Sequence, residues 1–68
     1  MNEAIKLALK DKQGKVYATI YPMEIGGELY WAIQGGATGT ETYKSIKGCK
    51  RYASKWIPYP KGARWNKP

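Results

Sequence analysis

Hydrophobic and polar residues alternate in three stretches of the chain. In residues 4–10, Ile5, Leu7 and Leu9 fall on one side and Lys6, Ala8 and Lys10 on the other. Residues 15–21 set Val16, Ala18 and Ile20 against Lys15, Tyr17, Thr19 and Tyr21, and residues 29–34 set Leu29, Trp31 and Ile33 against Tyr30, Ala32 and Gln34. A period of two predicts strands with one face buried. The breaks between them carry turn chemistry. Asp11-Lys12-Gln13-Gly14 predicts a tight hairpin, and Gly26-Gly27 within residues 23–28 predicts a second reversal. Pro22 has no amide to give a ladder, so the second strand is expected to stop there or to run at an edge. Gly35-Gly36 closes the third strand, and residues 37–41 read as a loop.

The period changes in residues 42–56. Ile46, Cys49, Ala53 and Trp56 recur at steps of three and four, the spacing of one helix face, while Lys44, Lys47, Arg51 and Lys55 recur on the other. Either Thr42 or Ser45 can cap the start with a side-chain oxygen. Pro58 ends the helix by disfavouring helical geometry at Ile57. Gly48 costs a helix about 1 kcal/mol relative to alanine, which predicts a close approach to the sheet at that point. The expected fold class is α+β: a three-stranded antiparallel sheet packed against one C-terminal helix (β-β-β-α), followed by an irregular basic tail. Residues 1–57 form the single domain, with a frayed start at 1–3, and 58–68 the Pro/aromatic/basic tail. The helix is expected to cover Ile5, Leu7, Leu9, Val16, Ala18, Ile20, Leu29, Trp31 and Ile33.

Charge sharpens this picture. Residues 1–41 hold four lysines and all five acids, whereas residues 42–68 hold eight Lys or Arg and no acid, for a net charge of +7. A field of one sign attracts polyanions. Nucleic acid is the favoured partner, ahead of an anionic membrane surface, an acidic protein or a merely solubilising role. The chain has 68 residues, a single cysteine and no histidine. A domain this small buries about 60% of its unfolded surface, and Cys49 alone supplies neither a disulfide nor a metal-ligand set. An unpaired cysteine fits a reducing, cytoplasmic location. There is no apolar run of the roughly 20 residues a membrane span needs, so no membrane partner, cofactor or metal is expected, and the state is a monomer or weak homodimer.

Catalytic readings find little support. Without histidine no ordinary base titrates near neutral pH. Glu24 and Glu28 flank a reversal and read as solvated loop charges. The glycine-rich segment 35–40 lacks the Gly-Lys-Ser/Thr of a phosphate loop. Cys49 lies beside Lys50 but on the apolar face, where a small buried side chain is the better reading. No enzyme is expected. Binding residues are easier to assemble. The uncovered sheet face is expected to display Lys6, Lys10, Lys15, Tyr17, Thr19, Tyr21, Tyr30 and Gln34. Its tyrosines can stack on bases or pair across strands to stiffen the sheet. Lys44, Lys47, Arg51 and Lys55 on the helix back suit phosphate contacts or plain solvation. Arg64 and Trp65 can clamp a nucleic-acid strand or dock on the protein's own core.

Two sets of residues carry a family likeness: Gly14-Lys15-Val16-Tyr17-Ala18 after the first turn, and Tyr43-Lys44-Ser45 ahead of a helix with Cys49, Tyr52, Ala53 and Trp56. With this element order, residues 5–57 resemble the three-stranded-sheet-plus-helix DNA-binding domains at the N-termini of phage and transposon tyrosine integrases. The resemblance implies an open sheet face that enters the DNA major groove, using Lys6, Lys15, Tyr17, Thr19 and Tyr30. The chain departs from the family in having no catalytic domain and in its basic aromatic tail, which implies a stand-alone product of a phage or mobile element. The Lys10–Lys15 hairpin is also similar to that of short bacterial domains with no assigned activity. The expected function is non-enzymatic nucleic-acid binding, DNA favoured over RNA. The alternative is a small basic protein that binds and modulates an acidic partner protein.

Overall fold

The computed structural model describes residues 5–35 and 39–67; the expected frayed start at 1–3 and part of the glycine-rich connection lie outside them. The element order is β1 (Leu7–Lys10), β2 (Val16–Ile25), β3 (Glu28–Gly35), β4 (Thr40–Tyr43), α1 (Ile46–Trp56) and β5 (Arg64–Asn66). The fold is α+β with one helix, but the antiparallel sheet has five strands in the order β4-β3-β2-β1-β5, not three.

Both extra strands come from short segments with strand chemistry. Thr40-Glu41-Thr42-Tyr43, expected as loop and helix start, is β-branched and aromatic, and it pairs with β3 from Trp31↔Tyr43 to Gln34↔Thr40. The helix therefore starts at Ile46, the first residue of its hydrophobic period, and not at residue 42, the start of the expected helical stretch. Ser45, not Thr42, is the N-cap, its Oγ accepting from the Gly48 amide at 3.2 Å. The tail is not wholly irregular. Its Leu9↔Trp65 pairing puts the indole on the buried side of the sheet, and Trp65 and Ala63 pack on the core. A three-residue strand with one apolar position has too little period to read in sequence.

The core lies between the sheet and α1, which packs over β2, β3 and β4. Leu9, Ala18, Ile20, Ile33, Cys49, Ala53 and Ile57 form its buried cluster. The expected close approach at Gly48 is present, since a Cβ there would sit 3.1 Å from the Cβ of Tyr43. Four expected core residues are exposed instead: Ile5, Val16, Leu29 and Trp56. Trp56 is 58% exposed because Ile57, in extended geometry at the C-cap, fills the last core position. Leu29 is exposed because β2 and β3 continue past their neighbours. β4 ends opposite Trp31, and the described part of β1 ends opposite Ile20, so the strands run on as a two-stranded ribbon to Gly26-Gly27. Both glycines have positive φ, the geometry of a tight two-residue hairpin turn. Pro22 lies inside β2, so the strand does not stop there, and the other expectation, a place at an edge, is the one the pairing fits. Ile20 accepts from the Lys6 amide, and by alternation the Pro22 nitrogen faces the same side, where the described β1 has ended.

One irregularity decides which side chains share a face. Leu9 pairs with Ala18, but Lys10 pairs with Val16, so Tyr17 is an extra residue in β2. Such a bulge re-aims the side chain at its position. Tyr17 packs against the core cluster, and its hydroxyl donates to Asp11 Oδ2 at 3.0 Å. Asp11 Oδ1 accepts from the Gln13 and Lys15 amides, both at 2.9 Å, which closes the first turn. Those contacts, the Lys15 amide first, hold the Asp11 carboxyl below its ordinary pKa.

Candidate nucleic-acid interface

The sheet face opposite α1 is built from whichever residues alternate with the core. Leu9 and Trp65 face inward as a pair, so the next pair along, Lys10 and Arg64, faces outward together. The adjoining row crosses all five strands as Asn66, Ala8, Thr19, Gln34 and Thr40, and the row beyond runs Tyr21, Ala32, Thr42. Ala8 and Ala32 are buried on this outer side of the sheet because larger neighbours close over them. The resulting surface has an alanine floor, hydrogen-bonding side chains from Thr, Gln and Asn, and cations at the β1–β5 end. Lys6 is exposed on the same side of the chain as Lys10.

No acid among the described residues forms an ion pair with these cations. Among the described residues, Asp11 sits in the first turn, Glu24 and Glu28 at the ribbon tip, and Glu41 on β4, paired with Ile33 of the core side. The one ion pair among the described residues is Lys44 Nζ to Glu28 Oε1 at 3.1 Å, with both side chains well exposed. Exposed pairs of this kind contribute little to stability. Its consequence is positional: Lys44 belongs to the ribbon, where its ammonium lies 5.1 Å from the Tyr30 ring centroid.

The residues singled out in the sequence therefore divide into three groups. Lys6, Lys10 and Thr19 share the open face as expected, and Arg64 joins them from the tail. Lys47, Arg51 and Lys55 lie on the solvent side of α1, on the far side of the sheet from that face. The remainder move. Tyr17 leaves the open face because the bulge turns it to the core, and Lys15 goes with it, its ammonium 5.4 Å from the Tyr17 ring centroid. Lys44 precedes the helix and does not join its basic row. Tyr30 is on the open side but already covered by Lys44, which leaves Tyr21 as the tyrosine there with no ring or ion partner among the described residues. Sequence reasoning missed Asn66, Thr40 and Thr42. The β-branched and aromatic content of β4 was a signal for the two threonines, and Asn66 had none.

Other chemistry is sparse. Cys49 is fully buried, its thiol donates to the Trp31 carbonyl at 3.3 Å, and burial raises its pKa. Both features suppress the thiolate a nucleophile needs. A shallow cleft of about 380 Å³ is lined by Asp11, Lys12, Gln13, Tyr17, Pro60 and Gly62. Its carboxylate is already committed to three donors. The described residues contain no group of three or more His, Cys, Asp or Glu placed to hold a metal, and no helix long and apolar enough to cross a membrane. Compared with protein-family models, with curated proteins and with solved structures, the chain finds no match.

Proposed function

We propose that this chain is a small non-enzymatic nucleic-acid-binding protein, DNA favoured, which presents the open face of its sheet to the polyanion. The observation that carries the reading is the Lys10–Arg64 pair. Two like charges stand directly opposite each other on neighbouring strands, and neither is in an ion pair among the described residues. Such a pair destabilises a sheet. A phosphate between the two cations turns that repulsion into attraction. The row of Thr19, Gln34, Thr40 and Asn66 next to it supplies donors and acceptors for sugar, base edge or phosphate.

The width of the sheet favours a particular mode. Five strands at about 4.8 Å spacing place the outer two roughly 19 Å apart, whereas the major groove is about 12 Å wide. Insertion of the whole face into a groove, the mode implied by the integrase likeness, meets that obstacle. The ribbon tip is narrow enough but carries Glu24, Glu28, Ile25 and Leu29, a poor surface for DNA. An exposed strand laid across the sheet fits better. Fluorescence anisotropy with labelled duplex DNA, single-stranded DNA and RNA tests the reading. Binding is expected to weaken log-linearly with salt, with a slope of about −2 to −3 if Lys6, Lys10 and Arg64 each neutralise a phosphate. Absence of binding to all three at low salt overturns it.

A further inference from the structure

The back of α1 and the exposed Trp56 form a second surface, separate from the open sheet face. Trp56 is 58% exposed, the largest exposure among the large hydrophobic side chains of the described residues, while Trp31 and Trp65 are half-buried against the core. The Lys55 ammonium lies 5.9 Å from its ring centroid. Lys55 in turn ends a row with Lys47 and Arg51, each one four-residue step from the next. That step is about 6 Å along a helix, close to the separation of successive phosphates in an extended strand. The helix carries no acid at all, and its first turn carries Lys47. Like charges at this spacing destabilise a helix by about 0.2–0.5 kcal/mol per pair, and a cation near the N-terminus opposes the helix dipole. Lys55, in the last turn, suits the dipole, but the free protein still carries like-charge repulsion along one line that ends at an exposed indole.

We infer that this surface binds a stretch of unpaired nucleic acid, with Lys47, Arg51 and Lys55 along its phosphates and Trp56 stacked on a base. Cations that follow a backbone and end at an aromatic ring are the general device for strand binding without sequence preference, because every base presents a π-face. The site does not depend on the open-face reading, since α1 and that face lie on opposite sides of the sheet. With both occupied, one molecule holds two segments of nucleic acid.

The test is tryptophan emission during titration with oligo-dT, read in the Lys10→Ala/Arg64→Ala background so that the open face has lost its paired cations. Oligo-dT is expected to quench the emission. Trp56→Ala is expected to weaken binding about tenfold, and Trp56→Phe to recover most of that affinity without the quench. Replacing Lys47, Arg51 and Lys55 with alanine is expected to flatten the salt slope by about 2, at about 0.7 per phosphate for a single strand. Undiminished quenching in Trp56→Phe would assign the signal to Trp31 or Trp65 and overturn the inference. Unchanged affinity in Trp56→Ala, with the fold checked by circular dichroism, overturns it as well. A quench that survives in this background while the open-face variants bind like the wild type would instead count against the sheet reading alone.

Discussion

Replacing Gly35 with alanine is expected to lower the thermal midpoint by at least about 12 °C, and the protein is expected to be partly unfolded at 37 °C. A Cβ at Gly35 would fall on the Tyr17 carbonyl oxygen, and would lie 2.8 Å from Ala18 Cα and 2.9 Å from Ala18 Cβ. The first two of these are backbone atoms, so no rotamer change relieves the contact. Overpacking of this kind costs about 1–3 kcal/mol and more where the backbone must move. A chain of 68 residues has a total stability of only about 3–10 kcal/mol. Each kcal/mol shifts the midpoint of so small a domain by about 4–8 °C, so a cost of about 3 kcal/mol gives the stated fall. The same contact reports on function. Ala18 pairs with Gly35 beside the Tyr17 bulge, and that bulge sets which residues of β1 and β2 share the open face. A thermal melt followed by far-ultraviolet circular dichroism decides it. A midpoint unchanged within a degree or two would mean that β2 and β3 do not meet in this register.

The paired substitution Lys10→Ala/Arg64→Ala separates function from stability. On folding it is expected to be neutral or slightly stabilising, because it removes two like charges that face each other across β1 and β5. On binding it is expected to cost about 30-fold at low salt, from roughly 1 kcal/mol for each phosphate contact. The salt slope is expected to flatten by about 1.4 on a single strand or 1.8 on a duplex. Anisotropy titrations over a salt series, beside a melt of the same variant, measure both effects. A variant that is destabilised and binds like the wild type would assign the pair a purely structural role.

The parts of the fold that sequence could read were those with enough repeats of a period. β1, β2, β3 and the helix each offered three or more apolar positions in register, and Asp11-Lys12-Gln13-Gly14 and Gly26-Gly27 marked the turns between them. β4 and β5 offered four and three residues, and their stability comes from pairing with strands distant in the chain, which no local pattern records. Trp56 shows a different limit. Its spacing from Ala53 suits the core, and so does that of Ile57 at one step further; only the end of the helix decides between them. Tyr17 shows a third. Alternation assigned it to the open face, but one extra residue in a strand reverses the assignment, and a bulge leaves no clear mark in sequence. The candidate interface was therefore half legible. Lys6, Lys10 and Thr19 followed from alternation alone, while Arg64 and Asn66 reached that face only through β5.

Amide chemical-shift mapping with a single-stranded oligonucleotide at low salt tests the open-face reading most directly. The expected result is a continuous set of shifts across Lys6, Lys10, Thr19, Gln34, Arg64 and Asn66, fading as salt rises, with residues Glu24 to Leu29 of the ribbon tip unaffected. Shifts confined to the ribbon tip, or no shift anywhere on the open face while the protein remains folded, would contradict it.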